Sequence, residues 1–256
     1  MRWVIVCGWM AIAATGWAQA ASEARVGVGT PAYDVVTIRP SPPGGWRGDT
    51  DTNADSYLAH NVTLKAMLED AYGIRQHLIS GVPRALEDAR FDLQAKVVDQ
   101  ETIHSLKDEQ RPAMLLQVLE DRFRLKAHVE MKVLPIYDLV LARGGPKFKE
   151  ATKESLENED MEVRRRMLTA TAQTMPDLAN ALTGVLNRTV LDETGLAGRY
   201  DFTVRWTPEG SDAAADVMAP PGIFDALEGQ LGLKLRAGRG EVKTLVVDEA
   251  EMPGEN

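Results

Sequence analysis

The chain has 256 residues, of which 44% are apolar and 26% are charged, and its formal net charge is −9 at pH 7. This composition is typical of a folded protein with one large domain or two small ones, and it excludes an intrinsically disordered chain. The acidic balance argues against nonspecific nucleic-acid binding, because that activity needs a basic surface.

The first twenty residues have the pattern of a secretory signal peptide. Arg2 gives a positive start, Trp3 to Trp17 form an apolar run, and Ala18-Gln19-Ala20 is a small-x-small cleavage sequence. The run is shorter than the ~20 apolar residues of a membrane span and contains Gly8 and Gly16, so cleavage is favoured over a stable anchor. We therefore expect a secreted or periplasmic protein, exported by a Sec-type signal peptide, with no stable membrane span after cleavage.

The only cysteine of the sequence, Cys7, lies inside this predicted signal. The mature protein would therefore contain no disulfide, no thiolate metal site and no cysteine nucleophile.

A strand and a polar hairpin are expected at the start of the mature chain. Residues 33–39 predict a strand that stops at Pro40. Asp49 to Asp55 place oxygen-bearing side chains at alternate positions, as a calcium loop does, but Ala54 and His60 stand where that loop needs a glycine and a glutamate. A polar hairpin loop is therefore preferred to a calcium site, and no metal is expected.

The next elements are two helices and a strand. Thr63 predicts the N-cap of a helix that ends at Gly73, because apolar side chains recur on one helical face between them. Polar and apolar residues alternate from Arg90 to Val97, as in a half-buried strand. A second helix is expected from about Glu109 to Arg122, because its apolar residues also fall on one face.

Two segments predict antiparallel hairpins. Arg124 to Met131 alternates, and Pro135 to Ala142 is apolar on both faces, which indicates a central strand. Near the C-terminus, Leu231 to Ala237 and Val242 to Asp248 flank Gly238–Gly240, a sequence typical of a turn.

The order of elements then repeats. Four further segments are expected: a strand from Glu162 to Ala170, a helix capped by Thr174, a linker from Thr207 to Gly222 and a helix from Ile223 to Gln230. Arg199 to Trp206 alternates in the same register as Arg90 to Val97. Because helix, strand, helix and hairpin occur twice in this order, we infer a tandem duplication of α+β units, with antiparallel sheets and helices on one face.

The predicted elements divide the chain into a signal peptide (1–20), a first α+β half with an N-terminal strand hairpin (21–146), a charged connector (147–171) and a second α+β half (172–256).

Seven motifs, distributed over nearly all of the mature chain, indicate a family resemblance. They are Asn61–Lys65, Ala71–Gly73, Ile79–Pro83, Leu119–Phe123, Leu134–Tyr137, Asp192–Phe202 and Gln230–Leu235. The chain resembles, through these motifs, a family of uncharacterised secreted proteins described as soil-associated and present in many copies in certain soil bacteria. The resemblance implies a usually exported domain of unknown function and brings no catalytic residues.

The local sequence signatures of common enzymes are missing. There is no Gly-x-Ser-x-Gly, Ser-x-x-Lys or His-Glu-x-x-His motif and no phosphate-binding glycine loop. The four histidines have no second ligand type at a metal-binding spacing, so solvated surface histidines are preferred. Adjacent carboxylates such as Glu69-Asp70 point apart on a helix, whereas Asp192-Glu193, in a loop, stays open as a functional pair. No catalytic residue, metal or cofactor is assigned.

The polar faces of four alternating strands carry the candidate ligand-binding residues. Eight cations lie there in register: Arg90, Lys96, Arg124, Lys126, Arg199, Arg205, Lys234 and Arg236. Only Asp92, Glu130 and Asp201 oppose them. Such charge segregation can attract an anionic ligand, and Arg199 and Arg205 would grip a carboxylate or phosphate. The alternative is that Lys and Arg only keep the wet side of a sheet polar and guard its edges.

We therefore expect a secreted or periplasmic, envelope-associated binding module of unknown ligand, without catalysis of its own. Its partner would be an anionic envelope component or another envelope protein. Two alternatives stay open: a hydrolase acting on an envelope or extracellular polymer, and a structural assembly partner that uses strand addition. A deep pocket with paired perturbed carboxylates would favour the hydrolase, and a flat charged sheet face or a long unpaired edge would favour binding.

Overall fold

The computed structural model describes residues 31–42, 44, 48–208 and 220–254. The predicted signal peptide with Cys7 and most of the predicted linker Thr207–Gly222 lie outside these residues. Within the described residues, no helix combines the length and the apolar character needed to cross a membrane.

The fold is α+β, as expected, with mainly antiparallel sheets. The strands in chain order are β1 (Val35–Pro40), β2 (Asp49–Thr52), β3 (Ser56–Thr63), β4 (Ile79–Ser80), β5 (Arg90–Lys96), β6 (Lys126–Leu141), β7 (Lys149–Glu150), β8 (Asp160–Arg164), β9 (Met167–Gln173), β10 (Val190–Asp192), β11 (Tyr200–Arg205) and β12 (Leu233–Glu249). The helices are α1 (Leu64–Tyr72), α2 (Arg84–Glu87), α3 (Gln100–Ser105), α4 (Arg111–Phe123), α5 (Lys153–Glu157), α6 (Met175–Leu186) and α7 (Ile223–Ala226), which continues as a π-helical turn over Leu227–Leu231.

The described residues form two compact units. Unit 1 comprises the chain up to Glu130 and the segment from Leu245 onward, and unit 2 is Met131–Thr244. The two units have other bounds than the expected halves, residues 21–146 and 172–256 with a connector at 147–171. The division into these halves stays a prediction.

Unit 1 is built on sheet A, an antiparallel sheet with the strand order β1-β5-β3-β2. Asp49–Thr52, expected in a polar loop, instead form strand β2, which pairs with β3 so that Asp49 lies opposite His60. The loop between the two strands is limited to residues 53–55. Helix α1 begins after Thr63, whose side chain accepts the Ala66 N–H, and ends at Gly73 in the left-handed conformation, so both expected ends are confirmed. The core lies between sheet A and helices α1 and α4.

Unit 2 is built on sheet B, an antiparallel sheet with the order β7-β11-β9-β8. The expected strand Glu162–Ala170 is in fact the hairpin of β8 and β9, which turns at Arg165-Arg166. In β11 and the residue after it, Tyr200, Phe202, Val204 and Trp206 are buried, as their alternation predicts. Helix α6 begins after Thr174, which caps it as expected.

The two predicted hairpins are wrong. Residues 126–141 form one strand, β6, and residues 233–249 form one strand, β12. The two strands pair with each other in sheet C, whose order is β10-β6-β12-β4. They run antiparallel, because Ala142 N–H donates to the Gly232 carbonyl at one end and Lys126 pairs with Glu249 at the other. The interior position predicted for Pro135–Ala142 is confirmed.

The turn signals in these segments have another physical basis. A Cβ on Gly240 would lie 2.7 Å from Cδ1 of Ile136, and one on Gly238 would lie 3.2 Å from Oδ2 of Asp138. These glycines leave room for the side chains of Ile136 and Asp138 beside β12. Pro135 is tolerated in β6 because strand β10 pairs only with Tyr137–Leu139.

Candidate functional site

The eight predicted ligand-binding cations do not share one sheet. Arg90 and Lys96 lie on β5 in sheet A, and Arg199 and Arg205 lie at β11 in sheet B. Arg124, Lys126, Lys234 and Arg236 lie at or next to the starts of β6 and β12 in sheet C. Unit 1 holds Arg90, Lys96, Arg124 and Lys126, and unit 2 holds the other four.

Six of the eight are engaged inside their own unit. Five form ion pairs: Lys96 with Asp55 (3.5 Å), Lys126 with Glu249, Arg199 with Glu159 (2.7 Å), Lys234 with Glu228 (3.9 Å) and Arg236 with Asp138 (3.0 Å). Arg90 donates to the Asn61 carbonyl (2.7 Å). The anion-binding role of the eight cations therefore stays a prediction.

Asp92 on β5 fixes a bulge in the neighbouring strand β3. The pairing of β3 with β5 shifts register between Ala59 and Val62, and Asn61 in this bulge has a φ of 55°. The Asp92 carboxylate accepts the Asn61 N–H (3.0 Å) and the Ser41 hydroxyl (2.7 Å). The carboxylate thereby satisfies a backbone donor that the bulge removes from the ladder.

These contacts decide the charge state of Asp92. Partial burial works against ionisation, but the hydrogen bonds from Ser41 and Asn61 and the nearby Arg39 outweigh it, so the pKa of Asp92 lies below its ordinary value. A carboxylate that stays ionised near neutral pH is a poor proton donor.

Asp201 on β11 makes the corresponding contacts in unit 2. Its carboxylate accepts the Ser155 hydroxyl (2.6 Å) and the N–H of Ala172 (2.8 Å), a residue with a φ of 52°. Hydrogen bonds from Ser155 and Ala172 lower the pKa of Asp201. Arg199 donates to the Ala172 carbonyl (2.8 Å), as Arg90 does to that of Asn61. We call each set of contacts a bulge clamp.

A groove crosses the outer face of sheet A above the first bulge clamp. It has a volume of about 290 Å³ and is lined by Thr37, Ile38, Arg39, His60, Asp92, Leu93 and Gln94. Arg39 lies opposite Asp92, and Thr37 lies opposite Gln94, so the polar side chains of three adjacent strands meet there. Nε of Arg39 is 3.4 Å from Asp92, and the Arg39 side chain is 78% exposed. We call this the sheet groove.

A second cavity in unit 1 has a different chemistry. Its volume is about 210 Å³, and it is lined by Tyr33, Thr52, Tyr57, Asp70, Asp108, Arg111, Pro112 and Leu115. We call it the tyrosine pocket. The Tyr57 ring is almost fully buried, and its hydroxyl donates to Asp70 (2.7 Å).

Burial dominates the electrostatics of the tyrosine pocket. It raises the pKa of Asp70, and the hydrogen bonds from Tyr57 and Thr50 only partly oppose that rise. Burial also raises the pKa of Tyr33 and Tyr57, so both stay protonated at physiological pH.

Arg111 at the rim of this pocket is already engaged. Its Nε lies 2.9 Å from Asp108, and its terminal nitrogens donate to the carbonyls of Asn53 and Ala54. Arg111 therefore ties helix α4 to the β2–β3 hairpin and neutralises Asp108.

The adjacent carboxylate pairs have separate structural partners. Glu69 pairs with Arg75 (3.0 Å), whereas Asp70 accepts from Tyr57, so the two side chains point apart as expected. Asp192, in the pair left open by sequence, accepts the N–H (2.9 Å) and the hydroxyl (2.7 Å) of Thr194 and so closes a turn. Among the described residues, no group of three or more His, Cys, Asp or Glu side chains could hold a metal ion.

Sequence reasoning missed most residues of both cavities. Tyr33, Tyr57 and Arg111 lie in no motif, and the sequence indicates for Asp70 only that its side chain points away from that of Glu69. The one usable signal was the alternation in β3, which places Tyr57 on the inner face. Nothing in the sequence indicated that β1 lies beside β5, which brings Arg39 to Asp92.

No curated protein and no solved structure matches the chain. One family model does, described as "Protein of unknown function (DUF3738)", and it covers residues 65–250. The expectation of an uncharacterised family is thereby confirmed. Because the match spans most of the sequence, from the first turn of α1 to the end of β12, the chain belongs to the DUF3738 family.

Proposed function

We propose that this protein is an exported, envelope-associated binding module without catalysis of its own, and that the sheet groove of unit 1 holds an anionic group of its ligand. The observation that carries the proposal is the open groove of about 290 Å³, in which Arg39, Thr37 and Gln94 present donors beside an internally satisfied carboxylate. The soil-associated, secreted character implied by the resemblance belongs to the same proposal.

The charge balance of the groove supports an anionic ligand. Asp92 accepts from Ser41 and Asn61 inside the protein, so its charge is largely satisfied. Arg39 approaches Asp92 through Nε and is mostly exposed, which leaves its two terminal nitrogens available for a bidentate contact with a carboxylate or phosphate. A polar groove on a sheet face, with an exposed arginine, is the feature that favours binding over catalysis.

The hydrolase alternative has less support. A pair of carboxylates with opposite roles would need pKa values pushed apart within one cavity. The sheet groove is lined by one carboxylate, Asp92, whose pKa is lowered, and the tyrosine pocket has one with a raised pKa, Asp70. These two carboxylates line different cavities, and the second carboxylate of the tyrosine pocket, Asp108, is paired with Arg111 (2.9 Å).

Cosedimentation with peptidoglycan sacculi, whose peptide stems carry carboxylates, tests the proposal. We expect the purified protein to pellet with sacculi, and the pelleted fraction to fall as ionic strength rises. Arg39→Gln should weaken retention roughly tenfold, because a charge-assisted hydrogen bond is lost. The fold should survive, since the Arg39–Asp92 pair is exposed on the arginine side.

Arg84→Gln is the matched control, because it removes the same charge from an exposed position of unit 1 outside the groove. It should bind like the unmodified protein. Equal retention of the Arg39→Gln variant would contradict the proposed groove, and release of soluble fragments from the sacculi would instead identify a hydrolase.

A further inference from the structure

The tyrosine pocket shares no lining residue with the sheet groove, so it can be considered on its own. Its walls are aromatic and apolar on one side, through Tyr33, Tyr57 and Leu115, and carry carboxylates on the other. With a volume of about 210 Å³, it is smaller than the ~300–1,000 Å³ of cavities that hold drug-sized ligands. A matching ligand has only a few heavy atoms.

One carboxylate of the pocket, that of Asp70, has no ion-pair partner among the described residues. Asp108 is paired with Arg111 (2.9 Å), and each terminal nitrogen of Arg111 donates to one backbone carbonyl, although the Arg111 charge still acts on Tyr33. Asp70 accepts from the neutral hydroxyls of Tyr57 and Thr50, and it forms no ion pair with a side chain of the described residues. An ionised Asp70 therefore makes the pocket negative.

The aromatic walls of the pocket also favour a positively charged ligand. The face of a tyrosine ring attracts cations within about 6 Å of its centre, most strongly where water is excluded. Tyr33 is partly buried at the pocket, and Tyr57 is 3% exposed, so both are partly or fully removed from water. Leu115 and Pro112 offer apolar contacts for methyl or methylene groups.

We propose that the tyrosine pocket binds a small organic cation, an alkylammonium or quaternary ammonium group, with its charge against Asp70 and its carbon atoms against Tyr33 and Leu115. The site is separate from the sheet groove and does not rest on the function proposed for it. The protein would then carry two recognition sites in unit 1, one for an anionic group and one for a cationic group.

Tetramethylammonium is the probe for this proposal, at mildly alkaline pH so that Asp70 is ionised. We expect its titration to shift the amide NMR signals of Tyr33, Asp70 and Leu115 in the full mature chain. tert-Butanol, a neutral molecule of nearly the same shape, should bind at least about tenfold more weakly, because the charge contributes most of the affinity. Equal binding of both probes, or no binding of tetramethylammonium, would overturn the proposal.

Two pairs of variants assign the contacts. Asp70→Asn keeps an acceptor for Tyr57 but removes the charge, and it should weaken tetramethylammonium binding at least about tenfold. Glu69→Gln removes a charge from the neighbouring position, which faces Arg75, and should bind as before. Tyr33→Phe should retain binding and Tyr33→Leu should lose it, because only the former keeps the ring. Unchanged affinity in Asp70→Asn or in Tyr33→Leu contradicts the assignment.

Discussion

Asp92 and Asp201 show how one carboxylate can hold a strand bulge. Each accepts the N–H of a residue with positive φ, Asn61 or Ala172, together with a serine hydroxyl from a more distant segment. The left-handed conformation is unfavourable for alanine, so Ala172 depends on such support more than Asn61 does. These aspartates are therefore structural first, and Asp92 is also part of a groove wall.

The lowered pKa of Asp201 makes a testable contribution to acid stability. Since its pKa is lower in the folded than in the unfolded protein, the contribution is present above the unfolded value of about 3.9 and is lost as pH falls through the folded pKa. We expect Asp201→Asn to reduce the loss of stability below about pH 4. Urea-unfolding midpoints measured across this pH range check it.

Asp225→Asn, an exposed position on helix α7, is the control and should keep the acid sensitivity of the unmodified protein. An unchanged pH profile in Asp201→Asn would show that the second bulge clamp does not act through the charge of its carboxylate.

At the scale of elements, the helices before β6 and β12 end in the same backbone conformation with different residues. Arg124 ends α4 with a φ of 51°, whereas Gly232 ends the turn after α7 with a φ of 67°. A Cβ on Gly232 would overlap the carbonyl oxygen of Gly145. Glycine is therefore required at this position for two reasons, the conformation and the close backbone.

Gly232→Ala should consequently cost at least about 2 kcal/mol of unfolding free energy. Gly73→Ala is its matched control, since Gly73 has the same left-handed conformation with open space around its Cβ position. Its cost should be about 1 kcal/mol, from the conformation alone. Chemical denaturation of the two variants measures the difference, and equal costs would rule out the steric contribution.

Local signals in the sequence were sufficient to predict elements whose ends and buried faces are determined by neighbouring residues. The cap at Thr63, the end at Gly73 and the alternation of β5 and β11 are decided within a few residues, and the structure has them as expected. The turn signal at Gly238–Gly240 misled because these glycines lie against Ile136 and Asp138 in β6, a strand far away in the chain. Glycine has the same sequence signature in a turn and in a close strand contact.

The candidate sites were less predictable than the fold class. The tyrosine pocket joins residues from β1's leading segment, β2, β3, α1 and α4, and the sheet groove joins β1, β3 and β5. Each of these residues is ordinary in its local context, so neither cavity can be inferred without the strand order. The chemistry of Asp70 arises only from burial beside Tyr57.

At the scale of the whole molecule, the two units share a plan. Sheet A has the order β1-β5-β3-β2, and sheet B has the matching order β7-β11-β9-β8. Each sheet carries a bulge clamp, followed by a helix with a threonine N-cap, α1 or α6. These parallels support the tandem duplication inferred from sequence, which remains a prediction.

Export is a further prediction for the whole chain. We expect the mature protein to begin near Ala21 and to contain no thiol, because Cys7 lies inside the predicted signal peptide. Intact-mass measurement of protein from the periplasmic or culture fraction checks this, together with a thiol-alkylation control. A mass that retains residues 1–20 would contradict the predicted cleavage.

The division of β12 between the two units has a consequence for the timing of folding. Leu245, Val247 and Ala250 belong to the core of unit 1, although more than a hundred residues separate them from the rest of that core in the chain. During synthesis, the first 130 residues cannot complete that core until residue 250 has been added and has left the ribosome. Late closure of such long loops slows folding and keeps the emerging chain open for longer, the state in which a polypeptide can be threaded through a translocation channel.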